Sequence, residues 1–295
     1  MAYPQLNPRH TPNARVEEIS HESGHYRLSI PAGHSNSYRL AQLDDYFKLP
    51  RKKFSHHALT LSLSARTSSS SIAGTWGFGL WNDPFGLSLG FGGNPFQLPA
   101  LPNAAWFFGA SKENYLSFKS GQPQEGRAQG GQPQGFVPTS GFMAQTFRSP
   151  KFHPWLILAG LILPFSRKLA RRLLGRVIAE DGVQLWNQGA SPWRRGDTRS
   201  RNFRQQAVGL QSQSLSVDPT RWRRYSLTWS LKRVSFEVDE VQVFESAMSP
   251  NPPLGLVIWI DNQYAAFTPE GKIAFGVLEN PEPAWLEIRE LEMRD

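Results

Sequence analysis

The chain has 295 residues, is 39% hydrophobic and 12% aromatic, and carries a formal charge of +8 with no cysteine. That length holds one large domain with insertions or two domains. The lack of cysteine excludes a disulfide framework, a thiolate metal site and a cysteine nucleophile.

Residues 1–24 are polar and proline-bearing without an apolar period, and read as a loose arm. They lack the apolar core of a secretory leader, which predicts a cytoplasmic address. Strand-like pieces begin at Tyr26–Ile30 and Ser37–Tyr46, and Pro50–Lys53 reads as a turn. Ala58–Arg66 alternates strictly: Leu59, Leu61, Leu63 and Ala65 on one face, Thr60, Ser62, Ser64 and Arg66 on the other. Such alternation marks a strand with one face buried. In Gly74–Asp83, Trp76, Phe78 and Leu80 share a face opposite Gly77, Gly79, Trp81 and Asp83. Small residues on that second face leave room for a ligand or a neighbouring loop. Ala104–Gly109, Asn114–Lys119 and Phe142–Arg148 read as further strands, with a low-complexity loop, 119–141, between the last two.

Residues 150–210 then interrupt the β pattern. The span 151–204 holds eleven Lys/Arg against three acids, so the rest of the chain is neutral and any electrostatic partner belongs here. Trp155–Leu163 is a nine-residue apolar run, well short of the ~20 a spanning helix needs. Ser166–Ile178 has leucines at helical spacing interleaved with Arg167, Lys168, Arg171, Arg172 and Arg176. This is a basic amphipathic helix by pattern. Two readings stay open. Trp155, Leu156, Leu161 and those five cations would suit an anionic membrane surface, or the apolar side packs on the domain. Nucleic acid is a third partner that no recognised motif supports.

The alternation resumes in 211–295. Tyr225, Leu227 and Trp229, then Val234, Phe236 and Val238, then Leu256, Ile258 and Ile260 make three strands. Lys272–Leu278 and Ala284–Met293 follow; Glu287 and Arg289 on the last read as a surface pair. The run W-x-x-Y-x-L-T-W-x-x-x-x-V-x-F-x-V-D-x-x-x-V-F, Trp222 to Phe244, resembles the late strands of concanavalin A-like lectin/glucanase domains, family 16 glycoside hydrolases in particular. The resemblance reaches loosely to Tyr38–Phe118. It implies an all-β, two-sheet antiparallel jelly-roll sandwich, built from 25–149 and 211–295, with a partly helical basic insertion.

That family carries E-x-D-x-E or a close variant on the strand after the Gly-rich aromatic one, because retaining hydrolysis needs two carboxyls about 5 Å apart. Here 74–118 holds only Asp83 and Glu113. No His-based metal pattern, nucleophile elbow or phosphate loop replaces the motif. Asp44 could join a site, or make a salt bridge or loop contact. Glu237 and Asp239 read as solvated hairpin charges. The resemblance thus favours a non-catalytic carbohydrate-binding or interaction domain, with a divergent glycosidase as the alternative. Sugar recognition stacks aromatic rings on pyranose faces and sets amides and carboxylates on hydroxyls. The candidates are Trp81, Asn82, Asp83, Asp44, Trp106, Trp259, Asp261, Asn262 and Gln263, each of which core or loop packing would also explain. No cofactor is expected. Some lectins of this fold hold Ca²⁺, but Asp261 and Asn262 alone are too few ligands to assign one.

Overall fold

A computed structural model describes residues 5–21, 24–84, 100–116, 140–149, 184–185, 209–267 and 273–294. In chain order the strands are β1 (Asn7–His10), β2 (Arg15–Ser20), β3 (His25–Ile30), β4 (Leu40–Asp44), β5 (Leu59–Thr67), β6 (Thr75–Trp81), β7 (Ala104–Ala110), β8 (Tyr115–Leu116) and β9 (Gly141–Arg148). They continue with β10 (Gln184–Leu185), β11 (Gly209–Ser214), β12 (Arg223–Trp229), β13 (Val234–Val238), β14 (Val241–Ser246), β15 (Gly255–Asp261), β16 (Gln263–Phe267), β17 (Ile273–Val277) and β18 (Ala284–Arg294). Arg51–Lys53 forms a single 3₁₀ turn where the sequence predicts a turn.

The strands build two large sheets. The larger runs β1-β4-β15-β6-β7-β9-β11-β10 and the smaller β14-β13-β12-β5-β18-β3-β2. Pairing within them is antiparallel except between β10 and β11. Strands from both halves of the sequence interleave: β15 lies between β4 and β6, and β12 pairs with β5. The fold is therefore an all-β, two-sheet antiparallel sandwich, as the resemblance of the Trp222–Phe244 run implies.

The alternation read in the sequence is the alternation in space. Leu61, Leu63, Phe78, Leu80, Leu227, Phe236, Leu256, Ile258 and Ile288 all enter one core between the sheets. Burying a side chain of this size stabilises by about 1.5–3 kcal/mol. Phe107 of the larger sheet meets Tyr225 and Phe236 of the smaller edge-on, at 5.0 and 5.2 Å. Those ring contacts lock the two layers against each other.

Two expectations are corrected. Residues 1–24 are not a loose arm through their described part. β1 pairs with β4 at one edge of the larger sheet, and β2 pairs with β3 at an edge of the smaller. Edge strands draw on main-chain hydrogen bonds, which leave no apolar period to read. Glu287 and Arg289 are not a surface pair: Glu287 is 2% exposed and binds Arg27 and Arg66 instead. The predicted insertion 150–210, with Trp155, Leu156, Leu161, Arg167, Lys168, Arg171, Arg172 and Arg176, lies outside the described residues except at 184–185 and 209–210. So does the loop 119–141 except at 140–141.

Candidate functional site

The face of the larger sheet turned away from the main core carries a second cluster. Leu40, Tyr46, Phe54, Ala104, Trp106, Val257 and Trp259 are its buried members, with Tyr38, Leu49, Trp81, Phe108 and Phe147 packed at its margin. Parity puts them there. β15 sends Leu256, Ile258 and Ile260 inward and Val257, Trp259 and Asp261 outward. Every odd position of β6 faces the same way: Thr75, Gly77, Gly79 and Trp81.

The two glycines explain how large rings fit. A Cβ added at Gly77 would stand 2.7 Å from Cη2 of Trp259, and one at Gly79 would stand 2.6 Å from Cβ of Trp106. The room on this face is thus filled by tryptophans of the flanking strands. Trp81 and Trp259 lie nearly parallel, 5° apart, with ring centroids separated by 6.5 Å. Trp106 tilts against both, at 6.0 and 5.4 Å. Each indole N–H is held: Trp81 donates to Tyr46 Oη (2.6 Å), Trp106 to Gln145 Oε1 (3.1 Å) and Trp259 to Thr75 Oγ1 (3.0 Å). Trp106 and Trp259 are each 8% exposed, whereas Trp81 is half-buried.

β7 follows β6 along the chain and pairs with it. Its residues on this face are Ala104, Trp106 and Phe108, at the alternate positions where a strand-borne carboxylate motif would project. The acids on the face come from elsewhere. Asp44, at the end of β4, is fully buried; it accepts from Gln42 Nε2 (2.9 Å) and the Phe47 amide (2.7 Å) and faces Arg9 (3.5 Å). Burial nevertheless pushes its pKa above the usual carboxylate value, against the pull of Gln42 and Arg9.

Asp83 sits just past the end of β6 with φ 44°, a left-handed conformation that Asp tolerates better than most residues. Arg51 of the 3₁₀ turn pins it there, donating from Nε to the carbonyls of Asn82 (2.7 Å) and Asp83 (3.0 Å). Asp83 is 2% exposed, and its Oδ2 has no hydrogen-bond partner among the described residues. Burial raises its pKa to about 6; Asp44 raises it further, while Arg51 and Arg9 oppose. Two buried carboxyls, both with pKa values raised by burial, therefore stand within electrostatic reach of each other beside Tyr46 and Trp81.

At the other end of the face, Asp261 accepts from Thr75 Oγ1 (2.7 Å) and the amides of Thr75 and Gln263 (both 3.2 Å), and from Tyr38 Oη at 3.4 Å. Burial still lifts its pKa to about 7. The other candidates are occupied with structure. Asn82 holds the 101–103 segment, accepting from the Asn103 amide and donating to the Leu101 carbonyl. Asn262 is fully buried; it accepts from the Arg39 amide and donates to the carbonyls of Ser37 and Leu278. Gln263 starts β16 beyond the face. The oxygens of Asp261 and Asn262 that the Ca²⁺ alternative would need are engaged in these bonds. No group of three or more His, Asp or Glu suited to a metal occurs among the described residues.

The structure thus gathers Asp44, Trp81, Asp83, Trp106, Trp259 and Asp261 on one face. It adds Arg9, Tyr38, Tyr46, Arg51 and Phe108, which the sequence reading did not single out. Phe108 was detectable from its parity with Trp106. Arg9 and Arg51 carried no local signal, since their partners are remote in sequence.

No family model and no curated protein matches the chain. Among solved structures it is similar to LamAcat from Zobellia galactanivorans, at 12% identity and a TM-score of 0.43 over 96% of this chain and 80% of that one. It is similar to a β-glucanase of Bacillus licheniformis at 8% identity and a TM-score of 0.39, covering 94% and 81%. A sialidase matches at 7% identity and a TM-score of 0.40; this chain spans 98% of itself but 17% of the sialidase's length.

Proposed function

We propose that the outer face of the larger sheet binds carbohydrate without cleaving it. The observation that carries this reading is the ring array on that face, with buried carboxyls at both ends. Half-buried Trp81, with Phe108, Phe147 and Tyr38 at the margin, offers ring surface to the apolar side of a pyranose. Asp83 is more buried than either of the inner indoles and shapes the Trp81 end of the face without touching sugar. Trp106 and Trp259 are too buried to stack directly and serve as the floor that holds Trp81. The apolar Ala104, Trp106 and Phe108 on β7 disfavour hydrolysis by a strand-borne acid pair.

A divergent glycosidase is the second reading, and one observation favours it. Burial raises the Asp83 pKa to about 6, beside Asp44, whose carboxyl is also shifted upward by burial. A proton-retaining acid near a second carboxyl is what general-acid cleavage of a glycosidic bond requires.

Incubating the pure protein with insoluble β-glucans and other polysaccharides separates the two. Protein depletion without reducing ends, weakened about tenfold by Trp81→Ala, is the expected result. Reducing ends that vanish in Asp83→Asn would replace the binding reading with the enzymatic one. Neither depletion nor release would remove carbohydrate from this face. The basic segment 150–210 is proposed separately as a contact for anionic membrane surfaces. Among the described residues no helix is long and apolar enough to cross a membrane.

A further inference from the structure

The opposite side of the molecule, the outer face of the smaller sheet, carries an alternating stack of arginines and tryptophans. Arg289 lies 4.3 Å from the Trp222 ring and Arg66 lies 4.8 Å from it. Trp285 follows, between Arg66 (5.4 Å) and Arg27 (4.9 Å). A guanidinium over an indole is attracted by the ring's quadrupole.

The three cations are not equivalent. Glu287 uses one oxygen for Arg27, at 2.6 Å, and the other for Arg66, at 2.7 Å. Arg289 stands two residues further along β18 on the same face. Among the described residues its side chain has no ion-pair or hydrogen-bond partner, and its Nε is shielded from solvent. His25 packs edge-on against the same Trp222 ring, with centroids 5.8 Å apart, and its Nε2 is likewise shielded and unpartnered. His25 and Arg289 flank the Tyr26–Ile288 cross-strand pair, so the strand register brings them to one place. The nearby acids are committed elsewhere: Glu290 accepts from Ser64 at 2.6 Å, and Glu18 meets His21 at 2.7 Å.

A buried polar atom without a partner is costly, and here two, the Arg289 Nε–H donor and His25 Nε2, meet at one indole. An oxyanion brings the negative charge that Arg289 lacks and acceptor oxygens for its Nε–H and for a protonated His25 Nε2. We propose that Arg289 and His25, arranged around Trp222, form a binding site for an oxyanion, either free sulfate or the sulfate or carboxylate group of an acidic glycan. The site is separate from the ring array on the larger sheet, and neither proposal depends on the other.

The test is calorimetric titration of the full chain with sodium sulfate against sodium chloride at matched ionic strength, together with the ¹⁵N resonances of His25. Saturable sulfate binding that moves the His25 Nε2 resonance is expected. Arg289→Gln should weaken it at least tenfold, and Arg289→Lys, which keeps charge but loses the fork, by less. His25→Gln supplies a second, gentler variant should Arg289→Gln fold poorly. Trp81→Ala should leave sulfate binding unchanged. Displacement of sulfate by dextran sulfate but not by dextran assigns the site to a glycan-borne group. Failure of the polymer to displace bound sulfate assigns it to the free ion. Absence of saturable binding, or equal binding by both Gln variants, overturns the site.

Discussion

Asp83 and Asp261 are two carboxyls whose protonation the fold controls. Both carboxyls keep their protons well above the model-compound range, to about 6 and about 7, chiefly because burial disfavours the charge. A raised pKa in the folded state means the native protein binds more protons than the unfolded chain between about pH 4 and pH 7. Stability therefore falls as pH rises through that window, by up to about 1.4 kcal/mol per pH unit for each group. The groups acting on Asp83 are Arg51 and Arg9, which lower its pKa, and Asp44, which raises it. Thermal melts from pH 4 to pH 8 should show Tm declining, with a flatter decline up to about pH 6 in Asp83→Asn. That variant should also melt above wild type at pH 8. Parallel curves for the two proteins would show that Asp83 titrates normally.

At the scale of elements, β6 and β18 show two ways that a strand's outer face is organised. In β6, Gly77 and Gly79 surrender their side-chain space to Trp259 and Trp106, so the strand's own outward content is one ring, Trp81. In β18, buried Glu287 is the hub that two half-exposed arginines close upon. Removing the hub leaves two stacked cations facing each other without a counter-charge. Glu287→Ala should cost about 3 kcal/mol, the low end for breaking a buried ion pair because both arginines reach water. Chemical denaturation would measure it, and a loss below about 1 kcal/mol would mean the stack holds without its carboxylate. Glu287→Gln should fall between, since it keeps the oxygen acceptor and loses the charge.

Over the whole chain, net charge is concentrated in one span. The excess of eight positive charges belongs to residues 151–204, and the rest of the chain is neutral. Electrostatic attraction to a bilayer should therefore be separable from the sandwich. The full chain is expected to float with phosphatidylserine-containing liposomes at low salt and to release at high salt. Deleting 155–176 should abolish flotation and leave polysaccharide depletion intact. Equal flotation of the deleted chain would assign the attraction to the sandwich.

Much of the fold is legible in the sequence because side chains in a strand alternate with a period of two, and that period survives in the primary structure. Leu59 to Ala65, Tyr225 to Trp229 and Leu256 to Ile260 name their own core faces, and Trp81, Trp259 and Asp83 name a second face. The sequence by itself determined an all-β fold, the aromatic face of its Gly-rich strand, the missing strand-borne acid pair and the concentration of charge in one span. Only the tertiary structure decided which of those residues meet and which still reach solvent. Gly77 receives Trp259, Arg51 pins Asp83, and Glu287 is buried rather than exposed, through partners far along the chain. Periodicity fixes which way a side chain points. What it finds there depends on strand order and register, which no local pattern encodes.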